Sequence, residues 1–164
     1  MEYWDLYNNK REKINKLHSR GDELKKGEYH IVINVWIIND KNEIILTQRH
    51  QEKPFPLKWE CTGGAVIAGE DSITGALREG EEEIGIKLNK ENGELILSIK
   101  RENDFKDIYL FRENIDLNNT KLQDKEVISI KWVTIKELER MVQNDEIAKP
   151  IEYDIGILKE MKII

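Results

Sequence analysis

Residues 64–86 read Gly64-Ala65-Val66-Ile67-Ala68-Gly69-Glu70-Asp71-Ser72-Ile73-Thr74-Gly75-Ala76-Leu77-Arg78-Glu79-Gly80-Glu81-Glu82-Glu83-Ile84-Gly85-Ile86, a glycine turn running into a helical pattern. At helical spacing Glu79, Glu82 and Glu83 fall within about 100° of arc, while Ile73, Ala76, Leu77 and Ile84 form an apolar stripe on the other side. Such a helix packs by one face and offers carboxylates by the other. Glutamates at these spacings repel by about 0.2–0.5 kcal/mol per pair, so the cluster gives an unaided helix nothing. A divalent cation reverses the sign. Hard ions such as Mg²⁺ take oxygen ligands, commonly one or two carboxylates plus substrate phosphates. Glu79, Glu82 and Glu83 are therefore the candidate metal-binding and catalytic residues, with Mg²⁺ or Mn²⁺ as the expected cofactor.

Beyond this stretch the chain reads as one continuous domain over residues 1–164, with no repeat, low-complexity tract or Pro/Gly/Ser linker. Hydrophobic content of 39% with four Trp excludes disorder, and no apolar run approaches the length of a membrane span. The N-terminal Met1-Glu2-Tyr3-Trp4-Asp5-Leu6-Tyr7 lacks a basic segment followed by an apolar one, and Cys61 is a lone cysteine, so a reducing, cytoplasmic setting is expected. A net charge of −6 argues against a nucleic-acid partner, whose binding draws on phosphate neutralisation. The run from Lys10 to Lys26 is the basic exception, read as a solvated face with substrate phosphates as the alternative.

Tyr29 to Ile38 is β-branched and apolar on nearly both faces, which predicts a buried central strand. Asn39-Asp40-Lys41-Asn42 reads as a turn and Glu43 to Arg49 as the returning strand. Lys58 to Thr62 is a short strand candidate leading into Gly63-Gly64, and Leu95 to Lys100, Asp107 to Arg112 and Val127 to Val133 are others. Thr134 with Glu137 forms a capping box opening a helix from Ile135 to about Gln143, and a last helix runs from about Ile151 to Met161. Strands and helices mix without βαβ alternation. The expected fold is α+β, a sandwich with a mixed β-sheet between helices, with residues 1–28 as an N-terminal extension packed on it.

The pattern Gly64, Glu70, Arg78-Glu79, Glu82-Glu83, Gly85-Ile86 resembles the Nudix box, the signature of a family that hydrolyses nucleoside diphosphates linked to another group. The resemblance implies the same α/β/α sandwich and a small-molecule diphosphate as partner, and leaves a homodimer open. It also assigns Arg78 to holding Glu79 by an ion pair, Glu70 to supporting the metal shell, and Gly63 and Gly64 to close backbone approach. Gly85 reads as the residue just past the helix end. One position departs from the box: Gly80 stands where a bulky aliphatic is usual, in the middle of the apolar stripe. A helix-interior glycine costs about 1 kcal/mol relative to alanine, so a close contact or a locally weak helix is expected there, with Trp36 and Trp59 as candidates for the missing volume.

Trp4-Asp5-Leu6-Tyr7, His18-Ser19-Arg20-Gly21, Glu28-Tyr29-His30, Val35-Trp36-Ile37-Ile38-Asn39 and Phe55-Pro56-Leu57-Lys58-Trp59-Glu60 resemble the Nudix subgroup related to isopentenyl diphosphate isomerases. That raises a rival activity, double-bond isomerisation with a cysteine and a metal bound by histidines and glutamates. Aligned on Trp59, however, the isomerase cysteine position holds Gly64, the following histidine becomes Val66, and Cys61 lies about three residues early. His18 and His30 resemble two isomerase histidines, and Glu102-Asn103-Asp104 its acidic pair. Hydrolysis is the stronger reading, and Glu102, Asp104 and Glu126 are candidates for a remote general base, with His30 a candidate ligand. A non-catalytic nucleotide-binding module is the third reading; it fits poorly with a box that keeps all its carboxylates. Trp4, Tyr7, Trp36, Phe105 and Tyr109 are aromatics able to stack on a base, with core packing as the default for each.

Overall fold

The computed structural model describes residues 2–164. In chain order the elements are strands Tyr3–Tyr7 (β1), Lys13–Ser19 (β2), His30–Ile38 (β3), Glu43–Arg49 (β4), Trp59–Glu60 (β5) and Thr62–Ala65 (β6), then helix Ser72–Ile84 (α1). Strands Gly93–Lys100 (β7), Asp104–Arg112 (β8) and Val127–Thr134 (β9) follow, and helices Ile135–Gln143 (α2) and Lys149–Glu160 (α3) close the chain.

β3 is the spine. Its apolar run pairs in parallel with β8 from His30↔Asp104 to Ile38↔Arg112, and antiparallel with β6 from Val32↔Ala65 to Val35↔Thr62. The main sheet runs β5-β4-β3-β8-β7, with β6 beside β3 and β9 beside β4, and is therefore mixed. Side-chain alternation along β3 splits the interior in two. Ile31, Ile33, Val35 and Ile37 pack with Ala76 and Ile84 of α1, whereas Trp36 and Ile38 pack with Leu138 and Met141 of α2 and Ile151, Ile155 and Leu158 of α3. Each buried Val, Leu, Ile or Met side chain among these stabilises the fold by about 1.5–3 kcal/mol, and the sheet is sandwiched between helices as expected.

Lys58 to Thr62 departs from the expectation of one strand. The chain changes partner at Cys61: β5 pairs with β4 at Thr47↔Glu60, and β6 pairs with β3. Two central strands lie side by side there, and a short segment crosses from one to the other. The first 28 residues carry an antiparallel hairpin, β1 with β2, whose strands the sequence reading missed. It is tied down at its turn, where Arg11 donates two hydrogen bonds to Asp107 (2.7 and 2.5 Å). At the other end, the Tyr3 carbonyl accepts from Ala68 N–H (2.8 Å) and Asp5 accepts from Gly69 N–H (2.8 Å). Three cations of the basic run are paired within this region, Lys13 with Asp5, Lys16 with Glu28 and Arg20 with Glu2.

Gly80 is a close contact, though with a different partner from the one anticipated. A Cβ there would lie 2.9 Å from Leu88 Cδ1 and 3.3 Å from its Cγ. Trp36 and Trp59 belong to the core on the opposite side of the sheet, so neither fills the gap. Leu88 returns along the helix after Gly85 turns the chain in the left-handed region (φ 71°).

Candidate active site

α1 begins where the Asp71 carboxylate accepts the Thr74 amide (2.9 Å) and ends at Gly85, whose N–H reaches the Glu81 carbonyl (3.0 Å). Two carbonyls of its last turn find partners in a crossing loop: Lys121 N–H donates to Ile84 O (3.0 Å) and Gln123 N–H to Glu83 O (2.9 Å). That loop delivers Glu126 beside the helix. β6 runs along the helix's carboxylate side, where Gly63 N–H donates to Glu83 (3.2 Å). A Cβ on Gly64 would enter the space of the Glu79 carboxylate. The glycines thus let glutamates from beneath the sheet reach its edge.

They open into a cavity of about 470 Å³. Glu79, Glu82, Glu83, Gly63, Gly64, Arg78, Glu126 and His30 line it, and Glu70 stands behind Arg78. Arg78 organises this wall. Its Nε donates to Glu70 (3.0 and 3.2 Å), Nη1 to Glu79 (2.8 Å) and Glu82 (2.9 Å), and Nη2 to the Ala65 carbonyl (2.9 Å). Glu70 also accepts the Ile67 amide (3.3 Å), which fixes the turn before the helix.

Burial sets the electrostatics. Glu83 is 5% exposed; its carboxyl is pushed up to about 8 by burial and by the nearby Glu79, against the pull of Lys53. Burial also raises Glu79, with Arg78 opposing. Glu60, not among the candidate site residues read from the sequence, faces the same cavity and is raised by burial against Arg49 and Lys53. Lys53 links three carboxylates, lying 2.5 Å from Glu126 and 3.9 Å from both Glu60 and Glu83. No periodicity marks Arg49 or Lys53, since one ends β4 and the other lies in the irregular loop after it; Glu60 is a charge in a short strand leading to the glycines, which is a readable signal.

Among the described residues no three His, Cys, Asp or Glu side chains stand in ready ligating geometry, because Arg78 is interposed between Glu79 and Glu82. The donor set nevertheless suits a hard divalent cation: three carboxylates on one wall, two of them destabilised as anions by burial. Glu82, whose side chain is half exposed, is free to turn from Arg78 toward an ion.

The remaining sequence candidates separate. Glu102 is an exposed turn residue that does not line the cavity. Asp104 is held by Arg101 through two hydrogen bonds (2.6 and 2.8 Å). His30 stacks on Trp4 at 4.1 Å between ring centroids, and burial holds its imidazole below the usual value. His18, the other histidine that resembles an isomerase histidine, is Trp4's cross-strand partner. Cys61 is 4% exposed in the core beneath α2 and α3, and burial pushes its thiol well up, away from thiolate.

Residues 28–152 match the family described as NUDIX domain. An uncharacterized Nudix hydrolase of Listeria monocytogenes is 35% identical over 148 residues, covering 89% of this chain and 88% of the relative. The crystal structure of DR0079 from Deinococcus radiodurans shares the fold with a TM-score of 0.76 at 20% identity, covering 97% of this chain and 98% of that one. So does a bifunctional NMN adenylyltransferase/ADP ribose pyrophosphatase from Francisella tularensis, complexed with AMP and a manganese ion (TM-score 0.66, 19% identity, 85% of this chain and 43% of that one). No helix among the described residues is long and apolar enough to cross a membrane. With box, fold and sequence relatives in agreement, this chain belongs to the Nudix family.

Proposed function

We propose that the protein hydrolyses a diphosphate linkage in a nucleoside diphosphate joined to another group, or in a related small diphosphate, with Mg²⁺ or Mn²⁺. The observation that carries this is the cavity wall on which Glu79 and Glu83 are raised by burial beside two glycines that leave them room. Anions held this way gain most from a cation. Once bound, the ion neutralises phosphate oxygens and lowers the pKa of an attacking water.

Each residue then has a task. Glu79, Glu82 and Glu83 would hold the ion, whose charge would offset the cost of burying their carboxylates. Arg78, anchored by Glu70 and the Ala65 carbonyl, fixes Glu79 and releases Glu82. Glu126 accepts the water's proton; Lys53 orients it by direct contact. Isomerisation loses its support, since the cysteine it needs is Gly64 at the site and Cys61 is sealed in the core on the far side.

The test is phosphate release from a panel of nucleoside diphosphate derivatives and isopentenyl diphosphate, with Mg²⁺, Mn²⁺ or chelator. Hydrolysis of at least one nucleoside diphosphate derivative that stops in chelator is expected. Full activity in chelator, or conversion of isopentenyl to dimethylallyl diphosphate as the only reaction, contradicts the assignment.

A further inference from the structure

The loop between β6 and α1 carries Glu70, which stands behind Arg78, and its hydrogen bonds show what holds it in place. The four amides of residues 67–70 are all engaged. Ile67 N–H donates to the Glu70 carboxylate (3.3 Å) and Glu70 N–H to the Ile67 carbonyl (3.2 Å), which closes a turn inside the loop. Ala68 N–H donates to the Tyr3 carbonyl (2.8 Å) and Gly69 N–H to the Asp5 carboxylate (2.8 Å). Both external ties of these amides therefore run to β1, a strand of the N-terminal hairpin.

Of the two ties, only the one at Asp5 comes from a side chain. Asp5 is 6% exposed, and the oxygen that takes Gly69 N–H also accepts from Lys13 (2.7 Å). Gly69 turns the loop in the left-handed region (φ 90°), and the next residue is Glu70. Arg78 is bonded to that carboxylate through Nε and reaches Glu79 and Glu82 through Nη1, so a shift of the loop carries to the cavity wall. The helix has its own supports. Asp71 caps its first turn, and Ala76 and Ile84 are buried on its apolar face. The hairpin likewise has other anchors: Tyr7 and Tyr29 exchange two backbone hydrogen bonds (2.8 and 2.9 Å), and Arg11 bonds Asp107. Loss of the Asp5 contact is thus confined to the loop and to what the loop seats. Asp5 precedes residues 28–152, the span that matches the family domain.

We propose that Asp5 is a positioning residue for the carboxylate wall: by holding Gly69 N–H it fixes the loop that seats Glu70, and through Glu70 and Arg78 it sets where Glu79 and Glu82 stand. The inference rests on the metal-dependent reading of that wall. Groups that orient metal ligands from behind are worth about 10- to 100-fold in metal affinity or activity. Asp5 acts at the far end of the relay, and Arg78 keeps a second anchor on the Ala65 carbonyl, so the lower end of that range applies.

Calorimetric titration with Mn²⁺, without substrate, reads the wall independently of turnover. Asp5→Ala should bind Mn²⁺ about 10-fold more weakly than the wild type; at saturating Mn²⁺ its kcat on a diphosphate substrate should fall while KM holds. Asp5→Asn keeps an oxygen for Gly69 N–H and should bind within about twofold of the wild type, as should Lys13→Met, which removes only the ion pair. In a Glu70→Ala background the relay is already cut, so adding Asp5→Ala should change the affinity by less than about twofold. Wild-type affinity in a folded Asp5→Ala protein, an equal loss in Asp5→Asn, or additive losses with Glu70→Ala overturns the inference. Should Asp5→Ala not fold, Asp5→Ala with Lys13→Met leaves no unmatched ammonium and is measured in its place; failure of both to fold makes Asp5 a structural residue and overturns the inference. If the affinities follow the expected pattern but no diphosphate is hydrolysed, the positioning role stands and the enzyme assignment falls. Unchanged affinity in Asp5→Ala beside metal-dependent hydrolysis gives the reverse, and a wild type that takes up no Mn²⁺ overturns both.

Discussion

A methyl group added at Gly64 would meet the Glu79 carboxylate, the far end of a flexible side chain; at Gly63 it would meet the Ile33 carbonyl, which is backbone of the central strand. The neighbouring glycines therefore have separable roles. Gly64→Ala should fold, because Glu79 can swing away, but the displaced carboxylate should lower kcat by about 100-fold, the usual cost of a misplacement near 1 Å. Gly63→Ala should instead lose stability, by about 1–3 kcal/mol, as β6 is forced from β3. Thermal melts and steady-state rates on both variants check this. A Gly64→Ala protein with wild-type kcat would mean that Glu79 has no fixed part in the reaction.

Within the box helix, the stripe and the carboxylate face are independent only if Gly80 faces packing and not the cavity. Leu88 fills the space an aliphatic side chain would take, so Gly80→Leu should overpack and destabilise by about 1–3 kcal/mol, and adding Leu88→Ala should recover much of that loss. Metal-dependent turnover should survive in both; its loss in a well-folded Gly80→Leu protein would contradict the division of the helix. The same helix shows what a sequence conveys. Helical spacing alone separated Ala76 and Ile84 from Glu79, Glu82 and Glu83, and the pair Thr134 and Glu137 located the start of α2, because these signals lie within one or two turns of chain. Leu88 against Gly80, Trp4 against His30 and Lys53 among three carboxylates were not readable. Each joins residues through a loop or a hairpin whose path depends on tertiary packing, and no local periodicity encodes it. The split of residues 58–62 between β5 and β6 was hidden for a related reason: partner choice belongs to the sheet as a whole.

At the scale of the molecule, α3 is fastened to the sheet beside the cavity by a buried charge cluster. Lys106 of β8 bonds Asp154 of α3, both nearly inaccessible, and Asn34 of β3 donates to the same carboxylate (2.5 Å). Removing one member strands the other in the interior. Asp154→Ala should cost about 3–5 kcal/mol, while the double change Lys106→Met with Asp154→Leu should regain most of it, as denaturant melts would record. The clasp holds the sheet on which the whole site is built, whereas the proposed hydrolysis would depend on the carboxylates of α1 and a cation held by them. Turnover of the best diphosphate substrate by Glu83→Gln at saturating Mg²⁺, with a melt on the same sample, tests that dependence most directly. Glutamine still accepts the Gly63 N–H and carries no buried charge, so the variant should be at least as stable as the wild type. Its kcat should fall by about 100-fold or more, the loss of roughly 3 kcal/mol of transition-state stabilisation. Wild-type turnover in a folded Glu83→Gln protein would contradict the account.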